Sequence, residues 1–411
     1  MIVRKAFKFR LKPRDDQLQK MHEYSGHCRF LWNKILSMNL ERLESKHKLI
    51  WYHESCRWLT LWKKSEEYGF LKEAPVHCLQ QKMKDLDKAF KDAFDKKQPL
   101  KRIPKFKRRG LNDSFRFPAP KAIKVENRRI KLPKLGWMGF HKSQSIEGTI
   151  KNATILRRDG KWYISIQVEQ EVNQQVHPEK SAIGIDLGVK KFVTCSDGSY
   201  FDPVNSFKKL QTKLAKAQKR LSKKKKFSEN WKKQKIKIQK IHSKIGNTRR
   251  DFQHKLSTNL SKKHAMIVTE ALKISNMSKS AGGTTGNPGK NVRAKSSLNR
   301  AILDQGWSEF KRQIKYKLEW LGGVYVEVNP AYTSQKCSSC EHEKIDKNSR
   351  ISQSKFCCTI CGHTENADIN AAKNILAAGH VVLACGEDAL AAFMKQEPLN
   401  MGDLVQFNKS F

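Results

Sequence analysis

Three carboxylic acids, far apart in the chain, sit where ordered segments would place them for chemistry. Asp186 closes the apolar run Ala182-Ile-Gly-Ile, and Glu270 closes Met266-Ile-Val-Thr. Both runs read as buried strands, and in α/β sheets ligands bind at the carboxyl edge of the strands. The third acid lies in Asn366-Ala-Asp368-Ile-Asn370-Ala371-Ala372, where a helix begins near Asp368 and its small residues suit close packing on a sheet. Carboxylate oxygens with open positions suit Mg2+ or Mn2+. Two such ions about 3.5–4 Å apart can activate a water and stabilise the leaving 3′-oxygen of a phosphodiester. Taken singly, each acid reads more readily as a turn or cap residue. The ordered set of strand, strand and helix carries the catalytic reading.

A second constellation precedes the third acid. Cys337-Ser-Ser-Cys340 and Cys358-Thr-Ile-Cys361 are two knuckles with 17 residues between them. Four thiolates at about 2.3 Å from one ion suit tetrahedral Zn2+ in a closed, structural site. Reduced buried thiols or a redox pair are the other readings of this spacing. Cys357 is not assigned as a ligand, because using it would leave Cys358 idle. Gly362 follows the second knuckle, whereas Glu341 holds the matching place after the first, where the turn prefers glycine. The remaining cysteines (Cys28, Cys56, Cys78, Cys195 and Cys385) are scattered singly and read as buried and inert.

The positioning elements follow from periodicity. Residues 5–12 alternate Phe7, Phe9 and Leu11 with lysine and arginine, a half-buried strand ended by Pro13. Residues 15–95 read as a helical bundle, including a helix from Leu79 to Phe94, and residues 97–110 as a basic loop. Strand patterns from about 115 to 170 suggest a small β-barrel that pairs with the first strand and is interrupted by the helices. Residues 173–180 read as a linker. Beyond it come a strand ending at Asp186, a hairpin through Cys195, helical residues 205–262 and the strand ending at Glu270. The loop at 280–291 reads as a lid or a plain linker, and a single helix is expected over 298–321. Residues 381–411 form a tail, expected to be disordered.

Composition bounds the partners. The chain has 411 residues and carries 82 Lys+Arg against 39 Asp+Glu, a net charge of +43. A folded chain with that charge repels itself unless a polyanion neutralises it, and nucleic acid is the obvious one. The stretches 97–110 and 205–250 are the candidates for backbone contacts, with Lys105, Arg108, Arg249 and Arg250 among them. There is no run of 18 apolar residues and no signal-peptide pattern at Met1–Lys5. A cytosolic location is therefore expected, with no membrane partner.

These residues together resemble the TnpB family of insertion sequences, relatives of type V CRISPR effectors. The resemblance rests on Gly184-Ile-Asp186-Leu-Gly188, Ile267-Val-Thr-Glu270-Ala-Leu272, the two knuckles, and Asp368-x-Asn370-Ala-Ala. Further blocks are Lys131-Leu-Pro-Lys-Leu-Gly136-Trp137, Asn247–Leu256, Trp307–Lys317 and Thr333–Cys337, so it spans about residues 1–380. It implies a multidomain α+β chain. An RNase H-like (RuvC) nuclease domain would occupy 180–330 and 366–380, with the zinc module at 331–365. A β-barrel wedge domain at 1–13 and 115–175 would be interrupted by a helical recognition domain at 14–114.

The resemblance also implies a guide RNA from the transposon end and cleavage of double-stranded DNA beside a short transposon-adjacent motif. Asp186, Glu270 and Asp368 would be the catalytic carboxylates, and Cys337, Cys340, Cys358 and Cys361 the zinc ligands. It further implies a bacterial, nucleoid-associated protein. Tyr52, Gln80 and Gln81 are candidates for reading the adjacent motif, since glutamine can pair with adenine. Asn366 stands where many relatives carry a second acid. The competing readings are an RNA-guided DNA-binding repressor without cleavage and a DNA transposase or its accessory. Nothing in the sequence selects monomer or dimer.

Overall fold

The structure, a computed structural model, describes residues 2–110, 113–172, 176–340 and 345–384. Glu341, Cys385 and the tail from 385 onward lie outside the described residues. The chain divides into two compact units, Met1–Asn173 and Gln174–Phe411. Among the described residues no helix is long and apolar enough to cross a membrane.

In the first unit, strand β1 (Ile2–Lys12) buries Val3, Phe9 and Leu11 and turns its lysines and arginines outward. Three helices follow: α1 (Asp15–Glu44), α2 (Tyr52–Lys64) and α3 (Val76–Phe94). Asp15 and Asp16 lie in the first turn of α1, where carboxylates complement the helix dipole. Buried Gln17 donates to the carbonyls of Leu135 and Trp137, tying the helix to the sheet. The remaining strands are β2 (Ser114–Phe117), β3 (Lys124–Glu126), β4 (Arg129–Leu132), β5 (Gly136–His141), β6 (Thr149–Arg158) and β7 (Lys161–Glu171). They join β1 in one sheet of order β2-β6-β7-β1-β5-β4-β3, antiparallel throughout. The helices are thus inserted between the first two strands of a single sheet.

The basic segment 97–110 is fastened to α1. The Trp32 indole donates to the Lys105 carbonyl at 3.0 Å, and the Asn33 amide exchanges two hydrogen bonds with the Lys107 backbone at 2.8 and 3.0 Å. The Lys107 ammonium sits 3.8 Å above the Trp32 ring centre. Burial there pulls Lys107 down to about 8.

The second unit is built on a five-stranded sheet. Its strands are β8 (Ala182–Asp186), β9 (Val193–Cys195), β10 (Tyr200–Phe201), β11 (Met266–Glu270) and β12 (Val324–Val328). The order is β10-β9-β8-β11-β12, with β8, β11 and β12 parallel and the β8–β9–β10 pairings antiparallel. Between β10 and β12 come α4 (Ser206–Ser222), α5 (Glu229–Lys263), the short α6 (Ile274–Met277), α7 (Val292–Gln305) and α8 (Trp307–Leu321). A two-stranded ribbon, β13 (Lys355–Cys357) with β14 (Thr364–Asn366), leads into α9 (Ala367–Ala384).

Helix α9 lies directly on β8. A Cβ on Gly184 would stand 2.1 Å from the Ala372 carbonyl oxygen, so only glycine permits this approach. On the sheet's other hydrophobic cluster, Phe192 meets Phe252 and Phe310 edge-on, with ring centres 5.2 and 4.9 Å apart.

Four expectations change. The helix expected over 298–321 begins at Val292 and is broken at Gly306, which adopts φ 68° and restarts the chain as α8. The helical stretch 205–262 is a hairpin of α4 and α5 with its turn at 223–228. Residues 381–384, expected in the tail, are the last turn of α9. His177, in the expected linker, is buried and its Nε2 donates to the Ser261 carbonyl at 2.8 Å, so that end of the segment is docked.

Candidate functional site

Asp186 and Glu270 end adjacent parallel strands. The register pairs Ile185 with Thr269, which sets the two acids side by side one residue further on. Asp368 enters from above, in the first turn of α9. The carboxamide of Asn366 accepts from the backbone N–H groups of Asp368 and Ile369, at 2.9 and 3.4 Å. Asn366 therefore caps the helix that bears the third acid.

The three acids line one cleft of about 390 Å³, together with Lys190, Lys191 and Arg350. Burial, then the neighbouring Glu270 and Asp368 carboxylates, push Asp186 up to about 7. Burial also raises Glu270, opposed by the Thr333 hydroxyl and the Lys311 ammonium. Asp368 is raised by burial and opposed by Arg350 and Lys190. Negative charge is thus concentrated where water is scarce, a situation that a bound cation relieves. The carboxylate oxygens do not converge as closely as the thiols do. Among the described residues, the cysteines alone bring three or more potential ligand atoms within 4.8 Å of one another.

Several residues around the acids were not singled out from sequence. Thr333 donates its hydroxyl to Glu270 Oε1 at 2.5 Å. Buried Lys311 donates to the Glu270 backbone carbonyl at 2.9 Å and pairs with Glu327 at 3.0 Å. The Arg350 guanidinium stands 3.6 Å from Asp368 Oδ1. Threonine, lysine and arginine at these places have no local pattern that separates them from surface residues. The sequence signals were the Trp307–Lys317 block, which contains Lys311, and the Thr333–Cys337 block, which places a hydroxyl just before the first knuckle.

The structure brings Cys337, Cys340, Cys358 and Cys361 together, with Cys357 outside the set. The Cys337–Cys361 and Cys340–Cys358 sulfurs are each 3.8 Å apart. Sulfurs about 2.3 Å from a tetrahedral zinc lie about 3.8 Å from one another, so the cluster fits that ion. The backbone N–H groups of Cys361 and Ile360 help hold the Cys358 thiol down to about 7, toward the thiolate that zinc requires.

This module is stitched to the acid site through α9. Fully buried Asn370 donates to the Lys336 carbonyl at 2.7 Å and accepts from the Ser338 N–H at 2.9 Å. One turn on, Asn374 donates to the carbonyls of Thr333 and Lys336. One helix therefore fastens, through Asn370 and Asn374, the segment of Thr333 and the first cysteine knuckle, and carries Asp368 in its first turn.

The candidate nucleic-acid contacts differ in their surroundings. Lys105, Arg108 and Arg250 are exposed. Arg249 is occupied: its guanidinium donates to the carbonyls of Leu303 and Asp304 at the end of α7 and lies 3.6 Å from the Asp304 carboxylate. Tyr52 opens α2, with its backbone N–H on Asp87 and its ring under the Lys84 ammonium. Gln80 is half-buried on α3, and Gln81 donates to Asp85.

A family model described as "Probable transposase" matches residues 165–281, and one described as "Cas12f1-like, TNB domain" matches 307–375. A third, described as "Helix-turn-helix domain", matches 1–48, a stretch that here folds as strand β1 and the single helix α1. The Escherichia coli K12 protein named "Putative RNA-guided DNA endonuclease InsQ" is 53% identical over 397 residues, covering 96% of this chain and 98% of its own. A Streptomyces pristinaespiralis protein named "Putative RNA-guided DNA endonuclease" is 32% identical, covering 94% of this chain and 92% of its own. Among solved structures, the mini-RNA-guided endonuclease CRISPR-Cas_phi3 aligns at a TM-score of 0.44 and 12% identity, over 91% of this chain and 92% of that one. Identity above one half, sustained over nearly the whole of both chains, makes this chain a member of the TnpB family.

Proposed function

We propose that this chain is an RNA-guided DNA endonuclease that hydrolyses phosphodiesters in the cleft between β8, β11 and α9. The observation that carries the reading is the meeting of Asp186, Glu270 and Asp368, from strand, strand and helix, in one cleft with Lys190, Lys191 and Arg350. The three carboxylates would hold Mg2+ or Mn2+, which supplies Lewis acidity toward the phosphate and an activated water, with two ions as the favoured count. The chain's own part is positional and electrostatic. Thr333 and Lys311 fix the side chain and backbone of Glu270. Arg350 and the two lysines offset the charge of an entering phosphate. The four cysteines hold a structural zinc.

The domain assignment follows the resemblance. A RuvC-like nuclease domain spans 180–330 and 366–380 around a zinc module at 331–365, and a wedge barrel at 1–13 and 115–175 is interrupted by a recognition domain at 14–114. The guide RNA, from the transposon end, reads target sequence by pairing, while the protein holds the duplex backbone and reads a short adjacent motif. Lys105, Arg108 and Arg250 are exposed for backbone contacts, and Tyr52 and Gln80 are the candidates for the motif. Arg249 is better placed as a structural residue. The test is incubation of the purified ribonucleoprotein with matched double-stranded DNA and Mg2+. Cleavage that is lost in Asp186→Ala while DNA binding persists supports the reading. Intact DNA that the wild type nonetheless binds would favour a repressor, and joining of a donor end to target DNA would favour a transposase.

A further inference from the structure

The turn of the α4–α5 hairpin carries a feature that the cleavage reading does not use. Phe227 sits there with φ 69°, in the left-handed region, and is 67% exposed. A bulky side chain in that conformation costs the folded state energy, and an exposed ring recovers nothing from burial. Nothing local forces phenylalanine here, since glycine or asparagine would satisfy the turn at less cost. The ring leans on half-buried Trp231, with centres 5.5 Å apart. Trp231 is itself placed by the Ser228 cap of α5, whose hydroxyl accepts from the Trp231 N–H at 3.2 Å. The Lys226 ammonium lies 5.3 Å from the Phe227 ring centre and that of Lys235 lies 5.1 Å from the Trp231 ring centre. Lys223, Lys224 and Lys225 precede them in an unbroken basic run.

We propose that Phe227, backed by Trp231, is a stacking platform for an unpaired nucleobase, with the surrounding lysines holding the flanking phosphates. The chemistry matches a single strand on each count: a π-face for the base, ammonium groups beside both rings for the phosphates, and an exposed ring on a strained turn. Charge complementarity excludes a basic partner and disfavours an apolar protein surface, because at least five ammonium groups would have to be desolvated against it. The inference rests on the nucleic-acid reading above. Guide RNA and target DNA offer the same base and phosphate chemistry, and the experiment separates them.

The ribonucleoprotein, with and without matched DNA, is irradiated with ultraviolet light, digested and examined by mass spectrometry. A nucleotide adduct on Phe227 or Trp231 is expected. A uridine adduct in both samples assigns the strand to the RNA, and a thymidine adduct only with DNA assigns it to the target. In parallel, the full chain is titrated with labelled single-stranded oligonucleotides of uridine or thymidine. Phe227→Gly should weaken binding about 5-fold or more, from the loss of one stacked base, whereas Phe227→Tyr should stay near wild type. Phe227→Gly should also unfold no earlier than wild type, because it relieves the strained turn, so lost binding would not reflect lost fold. Adducts elsewhere on the chain with none at the tip, or unchanged binding by Phe227→Gly, would overturn the platform while leaving the nucleic-acid reading intact. An absence of nucleotide adducts anywhere would instead overturn both.

Discussion

Replacing Asp186 by asparagine should stabilise the protein when no divalent cation is present, while abolishing cleavage. Burial and two neighbouring carboxylates lift Asp186 from its ordinary 3.8 to about 7. Its charged form is therefore disfavoured in the folded chain. Stability is fully present at low pH and declines as pH rises from the unfolded value through about 7. Three pH units at about 1.4 kcal/mol each give an upper bound of about 4 kcal/mol, and water entry into the cleft reduces this to roughly 2–4 kcal/mol. Asp186→Asn removes the charge and with it this loss. The assay is urea denaturation at pH 8, with zinc retained and divalent cations scavenged from the buffer. The variant should unfold at higher urea than wild type. Added Mg2+ should raise the wild-type midpoint and leave that of the variant nearly unmoved. At pH 4 the difference between the two proteins should largely vanish. A variant that is less stable than wild type at pH 8 without Mg2+ would refute the reasoning, because the carboxylate would then be serving the fold rather than awaiting a cation.

Thr333→Val removes the hydroxyl from Glu270 Oε1; cleavage should slow by about 10-fold or more and need more Mg2+, as read from rates across a metal titration. Asn370→Ala leaves the half-buried Ser338 N–H without its side-chain acceptor at a cost of about 1 kcal/mol; zinc release to a colorimetric chelator should quicken and cleavage should fall with it, because the first knuckle and Asp368 are both held by the same helix. Cys358→Ser should lower bound zinc well below one ion per chain, measured by elemental analysis. Arg249→Ala uncouples α5 from the end of α7, so it should lower the unfolding midpoint by the equivalent of about 1–3 kcal/mol yet leave the salt dependence of DNA binding nearly unchanged, unlike Arg250→Ala, which should reduce it.

What could be read in advance divides along physical lines. A buried strand announces itself as a short apolar run, and an acid ending it stands out against that run, which is why Asp186 and Glu270 were legible. Paired knuckles are legible because zinc geometry dictates a two-residue gap. Breaks in helices were less so: the residues on both sides of Gly306 keep a helical pattern, and the φ of one glycine decides that α7 stops and α8 begins. Long-range partners were not legible at all. Lys311 lies 41 residues beyond Glu270, and only folding shows that its ammonium reaches the Glu270 carbonyl. Arg249 sits in a basic stretch whose other members are mostly exposed, and it differs from Arg250 in which side of α5 faces α7. Composition suggests a polyanion partner but does not say which cations are already engaged.

The contact between Gly184 and Ala372 bears on when the site exists. The strand that holds the first acid is made early, and its covering helix comes after almost all the other elements of the second unit. Contacts so distant along the chain close slowly and late in folding. A nascent chain that has reached β11 holds two carboxylates on an uncovered sheet, with Asp368 still to come. The order of synthesis thus acts as a timer. The proposed cleavage site closes only when α9 settles on β8, after the cysteine knuckles and the long basic hairpin have been synthesised.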